Sequence, residues 1–238
     1  MKAFLRLILL IVVALVFIAG IAGFVPYLST ILGTDRPKDL GQQITLEDSL
    51  AAQEKTGVQL VKLPSDTPIG NSFILEGSRP IELTFTSKEA TGIINNRPWK
   101  YYPFSDLQLR INPDGTIETS GVVNMDLFMS YANSLGYSTE DINKVMEQYH
   151  IPKMNMPFYL KGSGSIIDDR VDIHVQSLHA GQIPVPQSIL VANTERINEF
   201  TQDCVARLNG FSAKKLAVEN EKIVFDGTLP EKESVVYK

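Results

Sequence analysis

Residues His179–Phe200, HAGQIPVPQSILVANTERINEF, set two prolines one residue apart, Pro184 and Pro186, directly before a helical pattern. The first proline requires an extended residue before it. The second suits the first turn of a helix, where its missing N–H is no loss. The stretch therefore reads as a rigid corner at which a strand becomes a helix. Beyond it, Ile189, Leu190, Ile197, Phe200, Cys204, Leu208 and Phe211 recur mostly at spacings of three, four and seven. That spacing predicts one apolar stripe on a helix of about twenty residues, roughly 30 Å long.

Working outward from the corner, alternation replaces the helical period. MPFYLKGSGSIIDDRVDIHVQSL (Met156–Leu178) reads as a hairpin. Phe158, Leu160, Gly162, Gly164 and Ile166 share a face, Asp168–Asp169 form the turn, and Val171, Ile173 and Val175 return. After the helix come two more strands, in AKKLAVEN and EKIVFDGTL. Upstream, IELTF (Ile81–Phe85) is a strand, and TSKEATGIINN is a short helix capped by Thr86 or Ser87. DLQLRINPDGTIETSGVV is a second hairpin, with Leu107, Leu109 and Ile111 on its buried face and NPDG as its turn. The order β-α-β-β thus occurs twice. Its first pass covers Ile81–Phe85, Ser87–Asn96, Asp106–Asn112 and Thr116–Val123. Its second covers Val171–Leu178, Gln187–Leu208, Lys214–Val218 and Lys222–Leu229. The fold expected is α+β: a strongly curved antiparallel sheet packed on a long helix that the proline corner steers across the concave face. Between the two passes, NMDLFMSYANSLG places Leu127, Phe128, Tyr131 and Leu135 on a helical stripe. STEDINKVMEQYH does the same with Ile142, Val145, Met146 and Tyr149.

The N-terminus sets the topology. From Leu7 to Val25 there is no charged residue, and nineteen apolar residues suffice to cross a hydrocarbon core of ~30 Å. Lys2 and Arg6 precede the run, while Asp35, Arg36, Lys38 and Asp39 after it are mixed in sign, so the N-terminus is cytoplasmic and the bulk of the chain lies outside. The alternative is a cleaved signal peptide ending near Gly20–Ala22. The apolar run exceeds the usual length of such a peptide, and no cysteine follows it for lipid attachment. The division expected is a cytoplasmic tail over residues 1–6, a transmembrane anchor over 7–26, a stalk and linker with one short helix over 27–78, and an extracytoplasmic domain over 79–238. Within the linker, Thr45 with Asp48 resembles a capping box and Gly57 stops the helix.

Of 238 residues, 44% are hydrophobic and 21% charged, and the net charge is −5. A basic nucleic-acid footprint is absent, so nucleic acid is set aside as a partner. The single cysteine, Cys204, permits no intrachain disulfide and lies on the apolar stripe, where an inert thiol is expected. Candidate chemistry is thin. GSGS (Gly162–Ser165) lacks the ending of a phosphate-binding loop and the order of a nucleophile elbow, so its glycines read as places where a strand bends or another element approaches. Asp172 and His174 fall on the solvent face of their strand, and a spacing of five puts His179 on the other, so they make no metal site. Asp168 and Asp169 read as turn residues, and no catalytic residue, metal or cofactor is assigned. The aromatic run RPWKYYPF holds Trp99, Tyr101, Tyr102 and Phe104. It reads as a loop packed on the core rim or, alternatively, as an aromatic lip that touches the bilayer interface or a lipid chain.

Several of these stretches together resemble a known family. FTSKEATGIIN, GTIETSGVV, MPFYLKGSGSI, SLHAGQIPVPQSIL and LNGFSAKKLAVENEKIVFDG, behind one N-terminal anchor, look like the YpmS-like membrane-anchored proteins of Gram-positive bacteria, over about Arg79 to Gly227. More distantly, the layout is similar to extracytoplasmic lipid-binding domains of the tubular and AsmA-like types. The motifs are structural, and the YpmS-like family supplies no activity to carry over. The distant resemblance implies a non-catalytic domain that holds a lipid or other hydrophobic ligand. The groove lining expected on this basis is Trp99, Tyr101, Tyr102, Ile189, Ile197 and Phe200. The alternatives are a cell-envelope scaffold with a filled core and, behind it, a membrane-associated hydrolase. The protein partner is not indicated. Cavity volume separates the first two readings.

Overall fold

The computed structural model describes residues 36–134, 137–140, 143, 155–181 and 183–238. The anchor segment, the stripe residue Leu135 and the helix expected over residues 138–150 lie wholly or mostly outside them. Among the described residues, no helix is long and apolar enough to cross a membrane.

The chain is α+β with a mostly antiparallel sheet. Helix α1 (Leu46–Lys55) opens it, started by a capping box in which Thr45 accepts from the Asp48 N–H while Asp48 accepts from the Thr45 N–H. It stops at Gly57, whose φ of 63° suits a residue without a Cβ. Strands β1 (Gln59–Leu63) and β2 (Phe73–Glu76) follow, then β3 (Arg79–Phe85), α2 (Ser87–Asn95), β4 (Phe104–Ile111), β5 (Ile117–Val123) and α3 (Met125–Ser134). A long hairpin of β6 (Met156–Ile167) and β7 (Arg170–Ala180) leads through β8 (Ile183–Pro184) into α4 (Gln187–Ala192) and α5 (Thr194–Ala206). The chain ends with β9 (Ser212–Glu219), β10 (Lys222–Leu229) and β11 (Lys232–Val236). The doubled β-α-β-β order is present, with ends within a few residues of those read from the sequence.

Three features differ from the expectation. The stalk does not end at Arg79. β1 and β2 flank the C-terminal β11 in a three-stranded sheet of order β1-β11-β2, with β1 parallel and β2 antiparallel to it. Leu40 is buried, and Gln108 accepts the N–H groups of Leu40 and Gln42, so the segment from Arg36 onward is bound to the domain. The long helix is also two helices, broken at Asn193 (φ −113°, ψ 7°). Asn193 Nδ2 donates to the Ile189 carbonyl and Thr194 Oγ1 to that of Leu190, which is how such side chains compete with the helical ladder.

The proline corner also steers differently. Pro184 lies in the two-residue edge strand β8, paired with His179, where its missing N–H faces away from the ladder. Pro186 is the N-cap of α4, and its carbonyl accepts from Ile189 and Leu190. The chain then doubles back along the outer edge of β7 instead of crossing the concave face. There Asn198 and Gln202 of α5 occupy backbone groups of β7: Gln202 Oε1 accepts the Val171 N–H at 2.9 Å. Helix α2 closes the β4 edge in the same way. Ser87 Oγ accepts the Ile111 N–H, Thr91 Oγ1 both accepts from and donates to Leu109, and Asn95 does likewise with Leu107. The spacing explains why this works. Four residues of helix rise about 6 Å and two residues of strand about 6.8 Å, so side chains at i, i+4 and i+8 meet alternate strand residues. Both edges are thereby blunted against further pairing.

The larger sheet runs β3-β10-β9-β6-β5-β4, with β7 on the opposite edge of β6 and β8 beyond it. Its core includes Phe85, Ile93, Ile94, Leu107, Leu109, Phe158, Ile166, Leu178, Ile197 and Phe225. β5 and β9 share one edge of β6. β5 pairs with it from Met156 to Gly162 and β9 only at Ile166 and Ile167. Between them, at Ser163–Ser165, the sheet forks.

Candidate binding site

The fork produces an apolar fissure. On its floor, Leu160, Gly162, Gly164 and Ile166 of β6 stand beside Ile173 and Val175 of β7. β5 contributes Ile117 and Thr119, β9 Leu216 and Val218, and β10 Ile223. The cavity measures about 80 Å³ and opens to solvent, with Gly164 exposed at its mouth. Gly162 is required by the backbone below it: a Cβ there would lie 2.5 Å from the His174 carbonyl oxygen. The reason is a bulge. Lys161 pairs with Ser177 and Gly162 with Val175, so Gln176 is an extra residue in β7 and the hairpin coils sharply at that point. The reading of GSGS as glycines for a bending strand agrees with this position.

None of the six residues expected to line a groove belongs to the fissure. Trp99 is 1% exposed and forms a bridge with Tyr237, its ring meeting Phe73, Tyr101 and Tyr131 at 5.2, 6.4 and 5.5 Å. Tyr102 is buried, and its hydroxyl donates to the Ile94 carbonyl. Tyr101 is half-buried against the same cluster. The aromatic run is therefore core that joins the small sheet to α3, and a lip built from Trp99 and Tyr102 is excluded by their burial. Ile189, Ile197 and Phe200 lie on α4 and α5. Ile197 is buried, whereas Ile189 and Phe200 are half-buried, with Phe200 stacked on Tyr137 at 6.3 Å. The sequence carries one signal for the fissure, the G-S-G-S alternation in a strand otherwise rich in large apolar residues.

The remaining polar candidates are structural. Asp168 and Asp169 take φ of 48° and 61° in the β6–β7 turn, and Asp169 accepts from the Ala213 N–H and the Ser212 hydroxyl on β9. Asp172 and His174 form an exposed pair at 3.2 Å. The bulge at Gln176 reverses the alternation, so His179 lies on the same face as His174, contrary to the parity expected from a spacing of five. His179 packs instead against Tyr159, opposite it across the ladder, at 5.3 Å. Among the described residues, no group of three or more His, Cys, Asp or Glu is placed to hold a metal ion. Cys204 is buried, its pKa pushed up to about 11 by desolvation, which makes it a poor nucleophile.

On the outer face of the sheet lies a polar network that the sequence reading missed. Glu118 accepts from the Tyr159 hydroxyl at 2.5 Å and from Arg110 Nε at 2.7 Å. Burial alone would raise the Glu118 pKa, but the hydrogen bonds from Tyr159 and Arg110 outweigh it and hold the carboxyl down to about 2. Lys38 stands 3.6 Å from Glu118 and 3.7 Å above the Tyr159 ring. No family model matches this chain, and comparison with curated proteins and with solved structures gave no match either.

Proposed function

We propose that this protein is a non-catalytic binding module of the bacterial cell envelope, anchored by Leu7–Val25 with its N-terminus in the cytoplasm and its folded domain outside. Its site is the fissure at the fork of the sheet, and its ligand is a slender apolar group such as the end of an acyl chain. The carrying observation is the lining: apart from Ser163 and Ser165, thirteen residues from five strands, all apolar but Thr119 and His174, meet at a cavity open to solvent. The volume sets the size class. An apolar cavity of ~150 Å³ takes benzene, so about 80 Å³ accommodates a few methylene groups and not a whole diacyl lipid. The same small volume favours the second reading, an envelope scaffold whose core is essentially filled.

The test is native mass spectrometry of the full chain in maltoside micelles offered decanoate, beside Val218→Trp, which fills the fissure from β9. Binding to the wild type that the variant loses supports the ligand reading. Absence of bound decanoate in both supports the scaffold.

A further inference from the structure

The outer face of the sheet carries a second cavity, of about 320 Å³, lined by Arg36, Lys38, Pro157, Phe158, Tyr159, His179 and Gly181. We infer that this cavity is a binding site for a phosphate-class oxyanion, held by Arg36, Lys38 and His179. Its size falls within the ~300–1,000 Å³ typical of small-molecule sites. Its lining contains two cationic side chains and no carboxylate, in a chain whose net charge is −5. The acid that Lys38 contacts, Glu118 at 3.6 Å, is already shared with Arg110 and the Tyr159 hydroxyl. Positive charge is thus left in excess at the cavity.

Lys38 is also held in place. The buried Leu40 and the Gln108 side chain pin the chain just after Lys38, and the Tyr159 ring lies under the Lys38 ammonium. His179 stands against the same ring, where burial and the nearby Lys38 hold its pKa below the ordinary value. Burial is the larger cause and Lys38 the smaller, and an anion between Lys38 and the ring would offset the smaller one. The location adds a source. Ten residues separate Val25 from Arg36, a chain length that spans at most ~36 Å, so on the anchor reading the cavity stays within reach of the lipid headgroups. A lipid phosphate and free phosphate offer the same chemistry. This site is separate from the fissure and does not depend on what the fissure holds.

The test uses the full chain in phosphate-free maltoside micelles. One arm adds inorganic phosphate and follows the phosphorus-31 linewidth. The other offers phosphatidylglycerol beside diacylglycerol of the same chains and compares retention by native mass spectrometry. Arg36→Gln with Lys38→Gln should weaken binding about tenfold or more, as losing charge-assisted hydrogen bonds does. Lys214→Gln, an exposed lysine paired with Asp226, should leave it unchanged. Broadening that competes with phosphatidylglycerol identifies phosphate itself as sufficient. Preference for phosphatidylglycerol without broadening identifies the lipid headgroup as the source. Should the double variant melt early, Arg36→Gln and His179→Gln, tested singly, give the same reading. Neither broadening nor lipid preference, or binding that all these variants leave intact, overturns the proposal.

Discussion

Asn198 stands to Ile173 as a neighbouring strand would. Its side-chain oxygen accepts the Ile173 N–H at 2.8 Å and its amide nitrogen donates to the Ile173 carbonyl at 3.1 Å. One side chain thus satisfies both polar groups of a strand residue. Asn198→Leu removes both partners at once, and an unsatisfied buried group costs about 1–3 kcal/mol. The expected loss in urea denaturation is of that size. Glu199→Ala, an exposed neighbour, should stay within about 0.5 kcal/mol of wild type. Equal behaviour of the two would show that water replaces Asn198 without cost.

Helix α5 presents Ile197 to the core and Phe200 only to its margin. Ile197→Ala should therefore destabilise by about 2–5 kcal/mol. Phe200→Ala should cost less than the ~3–5 kcal/mol typical of a fully buried phenylalanine, since part of the ring already faces water. Chemical denaturation of the two variants side by side checks the order, and a larger loss at Phe200 contradicts it.

The acid limb of the stability curve should carry the signature of Glu118. Its folded-state pKa of about 2 lies below the ordinary 4.5, so its contribution is fully present above about pH 5 and is lost as the pH falls toward 2. Glu118→Gln should be less stable than wild type at neutral pH, with the gap closing through that window. Melting temperatures measured from pH 7 down to pH 3 report it. A gap independent of pH would assign the loss to packing.

Strand β11 lies between β1 and β2, with Val235 and Val236 buried. A chain ending at Pro230 deprives both neighbours of their partner and exposes Trp99, which pairs with Tyr237. It should lose its cooperative thermal transition and be cleaved rapidly by protease in the region 59–76. A truncated chain as resistant as wild type would show the small sheet to be dispensable.

What the sequence disclosed followed from local chemistry. The NPDG turn, the helix caps near Thr45 and Thr86, and the alternation of Leu107, Leu109 and Ile111 are each decided by residues a few positions apart, and all appear in the structure. What it withheld depended on a partner far along the chain. Nothing in QLVKL marks it as a strand until β11 lies beside it. The extra residue Gln176 has no local sign, yet it reverses the facing of everything after it, including His179. The stripe from Ile189 to Leu208 read as one helix because apolar periodicity does not register Asn193, whose side chain donates to the Ile189 carbonyl one turn back. The aromatic run was compatible with core or surface, and only Phe73, Tyr131 and Tyr237 decide between them. The fissure escaped notice because it is made by strands parting at β6, a relation among β5, β6 and β9 that no single segment encodes.

The pairing of Gln59 with Lys232 has a consequence for biosynthesis. The two strands are far apart in the chain, so the small sheet cannot close until β11 (Lys232–Val236) has left the exit tunnel. The larger sheet needs only residues up to Leu229, so it can form first, while β1 and β2 wait for the partner they share.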